Sequence, residues 1–476
     1  MSEHTPPGGT PTRPRGGSRR RALAPLALAQ FICSFAGSNM NVMINDISHD
    51  LGTTVQGVQV AITIFLLVMA ALMIPGGKLS DILGRKRCFL TGLAVYGAGA
   101  VLSAVSPGLG VLILGNSILE GVGTALLIPP VYILTTLLFT DLTSRARAFG
   151  VVMAAGGVGA AAGPLIGGLI TSAISWRAAF AFQALVVALI IVLSLRLHDP
   201  LPPDPSRHFD TRGAVLSAAG LMLTVMGILA ADDNPWLMGA LLAAGALVLL
   251  WFLRWVRREE RSGREPLLST GLFRDRTSNL GLVTQNAQWL ILMGTSFTVA
   301  AFLQSVRGYD ALETGVIFTA ATVGLLASSL AAERLSKRWP QRSLIMAGFL
   351  LAVAGIGVLI ALVAGSSGPW AFAPGLLLIG LGLGVMLTPS VNVVQSAFPE
   401  ERQGEISGLS RSVSNLGSSF GTAIAGTILV AGLSKNAYAA AMGVLAIVGL
   451  GGLATAVFLP RTTGGRTPPS SRTAPE

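Results

Sequence analysis

Residues 150–168 read GVVMAAGGVGAAAGPLIGG, and the glycines in this stretch are ordered as well as numerous. Gly159, Gly163 and Gly167 recur every four residues, so on a helix they form one ridge bare of side chains, where a second helix can approach backbone to backbone. Gly150 and Gly168 flank this ridge. Pro164 interrupts it, removing one backbone donor and kinking the helix. In water each glycine would cost roughly 1 kcal/mol of helix stability relative to alanine. In lipid the backbone has no other way to satisfy its polar groups, so the segment stays helical. The stretch predicts a close-packed, kinked membrane helix, suited to two helices that rock against each other without opening a leak.

The rest of the chain agrees. Of 476 residues, 52% are hydrophobic and 12% charged, and the mean hydropathy is +0.68. A soluble domain carries about twice that share of charge, so the sequence predicts a polytopic membrane protein. At roughly 20 residues per span there is room for about fourteen helices and for no large soluble domain. Apolar segments fall at about 23–47, 56–76, 88–105, 110–133, 147–171, 178–197, 213–231, 236–254, 278–304, 313–332, 343–364, 370–396, 405–431 and 437–459.

The net charge of +11 follows from topology and does not point to nucleic acid. With the N-terminal tail placed in the cytoplasm, all but three (Arg177, Arg307 and Lys435) of the 33 lysines and arginines lie on that side. Dropping one span would reverse every later loop and destroy this asymmetry, so both termini are expected in the cytoplasm. Cys33 and Cys88 lie far apart in or beside apolar runs, against a disulfide framework or a cysteine metal site. The four histidines, His4, His49, His198 and His208, fall in expected tails or loops, so no histidine relay is expected within the membrane.

Composition divides the chain further. Residues 1–21 form a basic, disordered tail, and 22–197 an N-terminal six-helix bundle with an uncleaved first span. Residues 198–277 hold an inserted helix pair between the polar linkers His198–Arg212 and Arg257–Thr277. The pair's few polar residues cluster at the turn Asp232–Pro235, so it is expected on the periphery. A second six-helix bundle covers 278–459 and a disordered cytoplasmic tail 460–476. The fold class expected is thus all-α integral membrane, two six-helix bundles plus an inserted pair.

Two motifs carry a family resemblance. The spacing G-x8-G-x3-G-P-x2-G-G from Gly150 to Gly168 resembles the antiporter signature in the fifth helix of major facilitator superfamily exporters, with every position filled. The loop Gly77-Lys-Leu-Ser-Asp81-Ile-Leu-Gly84-Arg85-Lys86-Arg87 resembles the loop between helices two and three of that superfamily. There the resemblance implies a latch on the cytoplasmic gate, with Gly77 allowing close helix contact and Asp81 pairing with loop cations or capping a helix. Ile82 stands where the family usually has a basic residue, and the second-half counterpart, Glu333 to Arg338, is degenerate. The chain is therefore similar, over residues 22–460, to the fourteen-helix drug:proton antiporter branch. That similarity implies alternating access about a site near the midplane and export of drugs, antibiotics or self-made toxic metabolites, driven by the proton gradient with no cofactor.

Helix four departs from the family's Arg-x-x-Gln-Gly-x-Gly: here Ser117 and Glu120 precede Gly121 and Gly123. Glu120 lies deep in the span, where a carboxylate is expensive unless protonated or paired. It is a candidate proton carrier or, alternatively, a neutral acid bonded to a neighbouring helix. Asp46, at the outer end of helix one, is the competing carboxylate, or a solvated helix-end charge. Related exporters often have an acid deeper in helix one, roughly where Asn39 stands, which shifts the burden to Glu120.

Gln30, Ser34, Ser38, Asn41 and Asn45 form a polar stripe on helix one. Gln285, Gln288 and Trp289 form another on helix nine, Thr388, Asn392 and Gln395 on helix twelve, and Ser407, Ser410, Ser414 and Ser418 on helix thirteen. Their recurrence in both halves favours a shared central cavity over interhelical hydrogen bonding alone. With Phe31, Phe35, Met293 and Phe297 as neighbours, that cavity is expected to be amide- and hydroxyl-rich, poor in fixed charge, and suited to a bulky amphiphile. No paired arginines face it, against phosphate or dicarboxylate exchange.

No metal, nucleophile or phosphate-loop motif is present, so a secondary transporter and not an enzyme is expected. It should work as a monomer in a bacterial cytoplasmic membrane. A proton-independent facilitator or uptake carrier, and a transport-dead sensor or scaffold, are the other readings.

Overall fold

The computed structural model describes residues 16–139, 142–197, 199, 203, 209–231, 234–336, 338–365, 368–398 and 403–460. His4, His198, His208, Asp232, Asp233 and the C-terminal tail lie outside these. Fourteen long helices follow in order: α1 (Leu23–Asp50), α2 (Val55–Leu83), α3 (Arg85–Ala104), α4 (Leu109–Leu138), α5 (Leu142–Ala173), α6 (Trp176–Ser194), α7 (Thr211–Leu229), α8 (Pro235–Arg261), α9 (Arg276–Val306), α10 (Ala311–Ser336), α11 (Gln341–Gly365), α12 (Pro369–Gln395), α13 (Gln403–Val430) and α14 (Lys435–Val457). The backbone is already helical from Gly16, within the stretch read as tail.

Short polar residues set the helix starts. Thr54, Ser175, Asp210, Asp275 and Ser434 each accept a hydrogen bond from the backbone three residues on, satisfying one of the free amides of the helix they precede. Gly84, at φ +97°, turns the chain sharply between α2 and α3.

Thirteen of the helices are individually long and apolar enough to cross a membrane. The fourteenth, α5, qualifies as a bent pair, Arg147–Ala160 and Ala162–Ala173 meeting at 44°. Pro164 explains the position of the bend: it offers no N–H to the Ala160 carbonyl, and its ring crowds that carbonyl.

The helices pack as two matching halves. In the first, α1 lies along α5, α4 against α2 and α3, and α3 against α6. In the second, α9 lies along α13, α12 against α10 and α11, and α11 against α14. The halves meet along α2–α13 and α5–α10, two seams related by the same pseudo-twofold correspondence. Of the inserted pair, α7 covers the α2–α13 seam through Val225 and Leu229 on Leu67 and Ala423. α8 packs chiefly on α7.

Candidate functional site

A cavity lies between the halves, with roughly 1260 Å³ of space among its atoms, part of it open to solvent. α1 supplies Gln30, Cys33, Ser34, Ser38 and Asn41; α9 supplies Trp289, Met293 and Ser296; α13 supplies Arg411, Asn415 and Ser418. Met69 and Met73 from α2, Phe318 from α10, and Ile379 from α12 make the apolar wall. Pro164 lines it too, so the kink of α5 falls beside the space between the halves.

The polar stripes do not all reach this space. Gln30, Ser34, Asn41 and Trp289 line it, but Asn39, Asn45, Gln285, Gln288, Asn392 and Ser414 do not. Gln285 is buried between α9 and α13, donating to Ser414 Oγ (2.9 Å) and accepting from Ser410 Oγ (2.8 Å). Gln288 is buried toward α12 and donates to Leu383 O (3.4 Å). Asn39 is buried against α5, its Cβ 3.0 Å from where a Cβ on Gly167 would stand. Asn392 is exposed on α12. For Gln285, Gln288 and Ser414, packing between helices provides the hydrogen bonds that the stripes seemed to require of a cavity. The expected aromatic lining is corrected likewise: Phe35 and Phe297 are fully buried in packing, and the cavity's aromatic rings are Trp289 and Phe318.

Arg411, one of the basic residues on the cytoplasmic side by loop count, lines the cavity instead of a loop. Its Nη2 donates to the Tyr132 hydroxyl and to Met153 Sδ (3.7 Å), and its guanidinium stands 5.1 Å from the Tyr132 ring centroid. Tyr132 in turn donates to Gln30 Oε1 (3.1 Å), so one chain of bonds crosses the cavity from α13 through α4 to α1. The cavity expected to be poor in fixed charge thus holds one cation among its described lining residues. The available signal was a lone arginine eight residues inside an otherwise apolar and serine-rich helix.

Asn45 takes part in closing the end of the bundle away from the basic loops. Its backbone N–H and Nδ2 donate to Gln304 Oε1 (3.1 Å) and Gln304 O (2.6 Å), and its Oδ1 accepts from Ser305 Oγ (2.9 Å). Gln304 also donates to Asn41 O (2.8 Å), and Leu312 N to Ser172 Oγ (3.1 Å). Asp46 is exposed in a cleft at this same end, beside His49 and the Asp50–Arg177 ion pair.

Glu120 lies elsewhere. It ends a π-helical stretch of α4, Ile113–Glu120, and is fully buried, with no ion-pair partner among the described residues. It does not line the cavity; its titratable neighbours are Tyr96, whose hydroxyl donates to Gln183 Oε1 (2.5 Å), and Cys33 on the cavity wall. Ser117 donates to Ala61 O (2.7 Å) on α2, so the missing arginine's place faces packing.

The α5 ridge packs on α1. A Cβ on Gly159 would lie 2.3 Å from Phe31 O, and one on Gly163 2.0 Å from Ser38 Oγ. One on Gly168 would meet Ala311 O of α10 at 2.4 Å, whereas Gly150 faces open space, off the ridge contact. In the basic loop, Asp81 pairs with Arg85 (2.7 Å), and Asp199 caps α3 by accepting from Arg85 N (2.7 Å) and Lys86 N (3.2 Å). Gly77 faces Pro129 of α4 at van der Waals distance, and Lys78 donates to Pro266 O of the linker after α8.

Two helical halves around a shared cavity, sealed at one end, define a secondary transporter of the two-domain type. The chain belongs to the Major Facilitator Superfamily, whose family profile it matches over residues 26–422 and 287–475. It is 31% identical over 416 residues to the puromycin resistance protein pur8 of Streptomyces alboniger, covering 85% of this chain and 81% of that one. It is 30% identical to the probable actinorhodin transporter of Streptomyces coelicolor (91% and 76% covered). Identity to the multidrug efflux pump LfrA of Mycolicibacterium smegmatis is 28% (90% and 84%). Among solved structures, a peptide transporter POT in complex with sulfate shares the fold, with a TM-score of 0.68 at 17% identity over 92% of this chain and 95% of that one.

Proposed function

We propose that the protein is a proton-coupled antiporter that exports amphiphilic compounds, drugs or antibiotics among them, by alternating access across a bacterial cytoplasmic membrane. The relatives named for drug resistance and export support the direction of transport. The bias of basic residues supports a cytoplasmic position for the Gly77–Arg87 end and both termini, with the end sealed by Asn45 and Gln304 facing outward. The site is complete within one chain, in keeping with a working monomer.

The observation that carries the coupling is Glu120: a fully buried carboxyl group with no cationic partner among the described residues, set behind Cys33 of the cavity wall. Charge is costly there, so a proton taken up by Glu120 is retained until the halves rearrange. One proton crossing 100 mV supplies about 2.3 kcal/mol, and each pH unit about 1.4. A combined gradient of roughly 4 kcal/mol sustains about a thousandfold gradient of a neutral cargo at one proton each.

Inside-out vesicles energised to acidify the lumen test this reading. Addition of an exported compound should release lumenal protons in the wild type and not in Glu120→Gln. Equal release in both proteins would reject Glu120 as the carrier and turn attention to Asp46.

A further inference from the structure

Among the described residues, Arg411 is the one charged side chain on the cavity lining, and no aspartate or glutamate lines it. Its partners among the described residues are neutral, a phenol and a thioether, and it forms no ion pair with any of them. An arginine is permanently charged and offers five donors in a planar fork that matches a carboxylate. Half-buried, and with a phenol and a thioether as its partners, this one can turn its fork to a carboxylate that enters the cavity. Asn415 and Ser418 follow at four and seven residues along the same face of α13 and also line the cavity, extending the polar strip from the guanidinium. Trp289, Phe318 and Met69 line the same cavity and give it apolar surface fit for a flat ring system.

We propose that this cavity recognises amphiphilic acids, compounds with a carboxylate or phenolate on a flat apolar body, and that Arg411 is the group that binds the anion. The inference rests on the export reading above and narrows its cargo. A lipophilic cation would meet a like charge there with no lining acid to offset it. An arriving anion would also compete with Tyr132 for the guanidinium. Because Tyr132 is on α4 and Arg411 on α13, binding would loosen a bond between the two halves.

Fluorescence anisotropy with purified protein in nanodiscs of zwitterionic lipid tests the charge preference without any transport step. The probes are fluorescein, which carries a free carboxylate, and rhodamine 123, its cationic relative with the carboxyl esterified. Wild type should bind fluorescein at least about tenfold more tightly than rhodamine 123, the discrimination expected of a charge-assisted pair. Arg411→Gln should weaken fluorescein about tenfold or more and leave rhodamine 123 unchanged or tighter, while Arg411→Lys recovers part of the loss. Thermal unfolding of each variant shows that it is folded. No saturable fluorescein binding to wild type, tighter rhodamine binding, or an equal loss of both dyes in Arg411→Gln would overturn the proposal. Any of these would leave export itself to the vesicle proton assay, which fails or succeeds separately.

Discussion

Asn45 and Gln304 hold each other by two hydrogen bonds, backbone N–H to side-chain Oε1 and side-chain Nδ2 to backbone O, and so tie α1 to α9 at the sealed end of the bundle. Each half provides one residue, which is what a clamp between rocking halves requires. Gln304 lies in the π-helical turn Phe302–Val306, whose altered backbone marks the end of α9.

Gln304→Leu removes the bonds to Asn45 N and Asn41 O. At about 0.5–1.5 kcal/mol per bond, the balance should shift about tenfold toward states open at this end. In a background lacking Cys33 and Cys88, a cysteine at Ser38 should be alkylated correspondingly faster from the outer face. An unchanged rate would show that the clamp carries no conformational weight.

Gly159→Ala drives a methyl group to 2.3 Å from Phe31 O, a backbone atom that no rotamer change can move. A loss of about 1–3 kcal/mol is expected, as for overpacking elsewhere, read as a lower unfolding temperature in detergent. Gly163→Ala meets the Ser38 hydroxyl instead, so Ser38→Ala should rescue it. Gly150→Ala has open space and should be neutral or stabilising by up to about 1 kcal/mol.

The second half has a ridge of its own. Cβ atoms on Gly417 and Gly421 would lie 2.3 and 2.1 Å from Asn286 O and Leu290 O, placing α13 on α9 as α5 lies on α1. Alanine at Gly421 should therefore destabilise as much as alanine at Gly159, in the same assay. A neutral Gly421→Ala would break the equivalence of the halves.

In the basic loop, Asp199→Ala strips two acceptor contacts from the start of α3 and should cost about 1 kcal/mol, as cap losses do. Asp81→Asn breaks a partly exposed pair and should cost less, about 0–1 kcal/mol. If Asp81→Asn nonetheless cuts transport severalfold at unchanged thermal stability, the pair acts in gating; proportionate losses would make it a structural tether.

Much of the architecture is legible in the sequence because lipid imposes a one-dimensional code. Fourteen apolar runs, the bend near Pro164 and the bare face of Gly159, Gly163 and Gly167 are properties of single segments, fixed by length, a missing donor and missing side chains. The ridge on α13 is not legible in the sequence, because Gly417 and Gly421 are embedded among serines whose spacing reads as a polar stripe.

The sequence by itself determined how many helices cross, where one of them bends, and that polar side chains must hide from lipid. It left open which way each polar side chain turns, because a glutamine is equally well satisfied by a serine across a helix pair as by the water of a cavity. Only tertiary packing decided that Gln30 faces the cavity while Gln285 bonds Ser410 and Ser414. It likewise withdrew Glu120 behind the wall and turned Arg411 onto it, since a side chain's rotation about its helix axis is set by the neighbouring helices and not by its place in the chain.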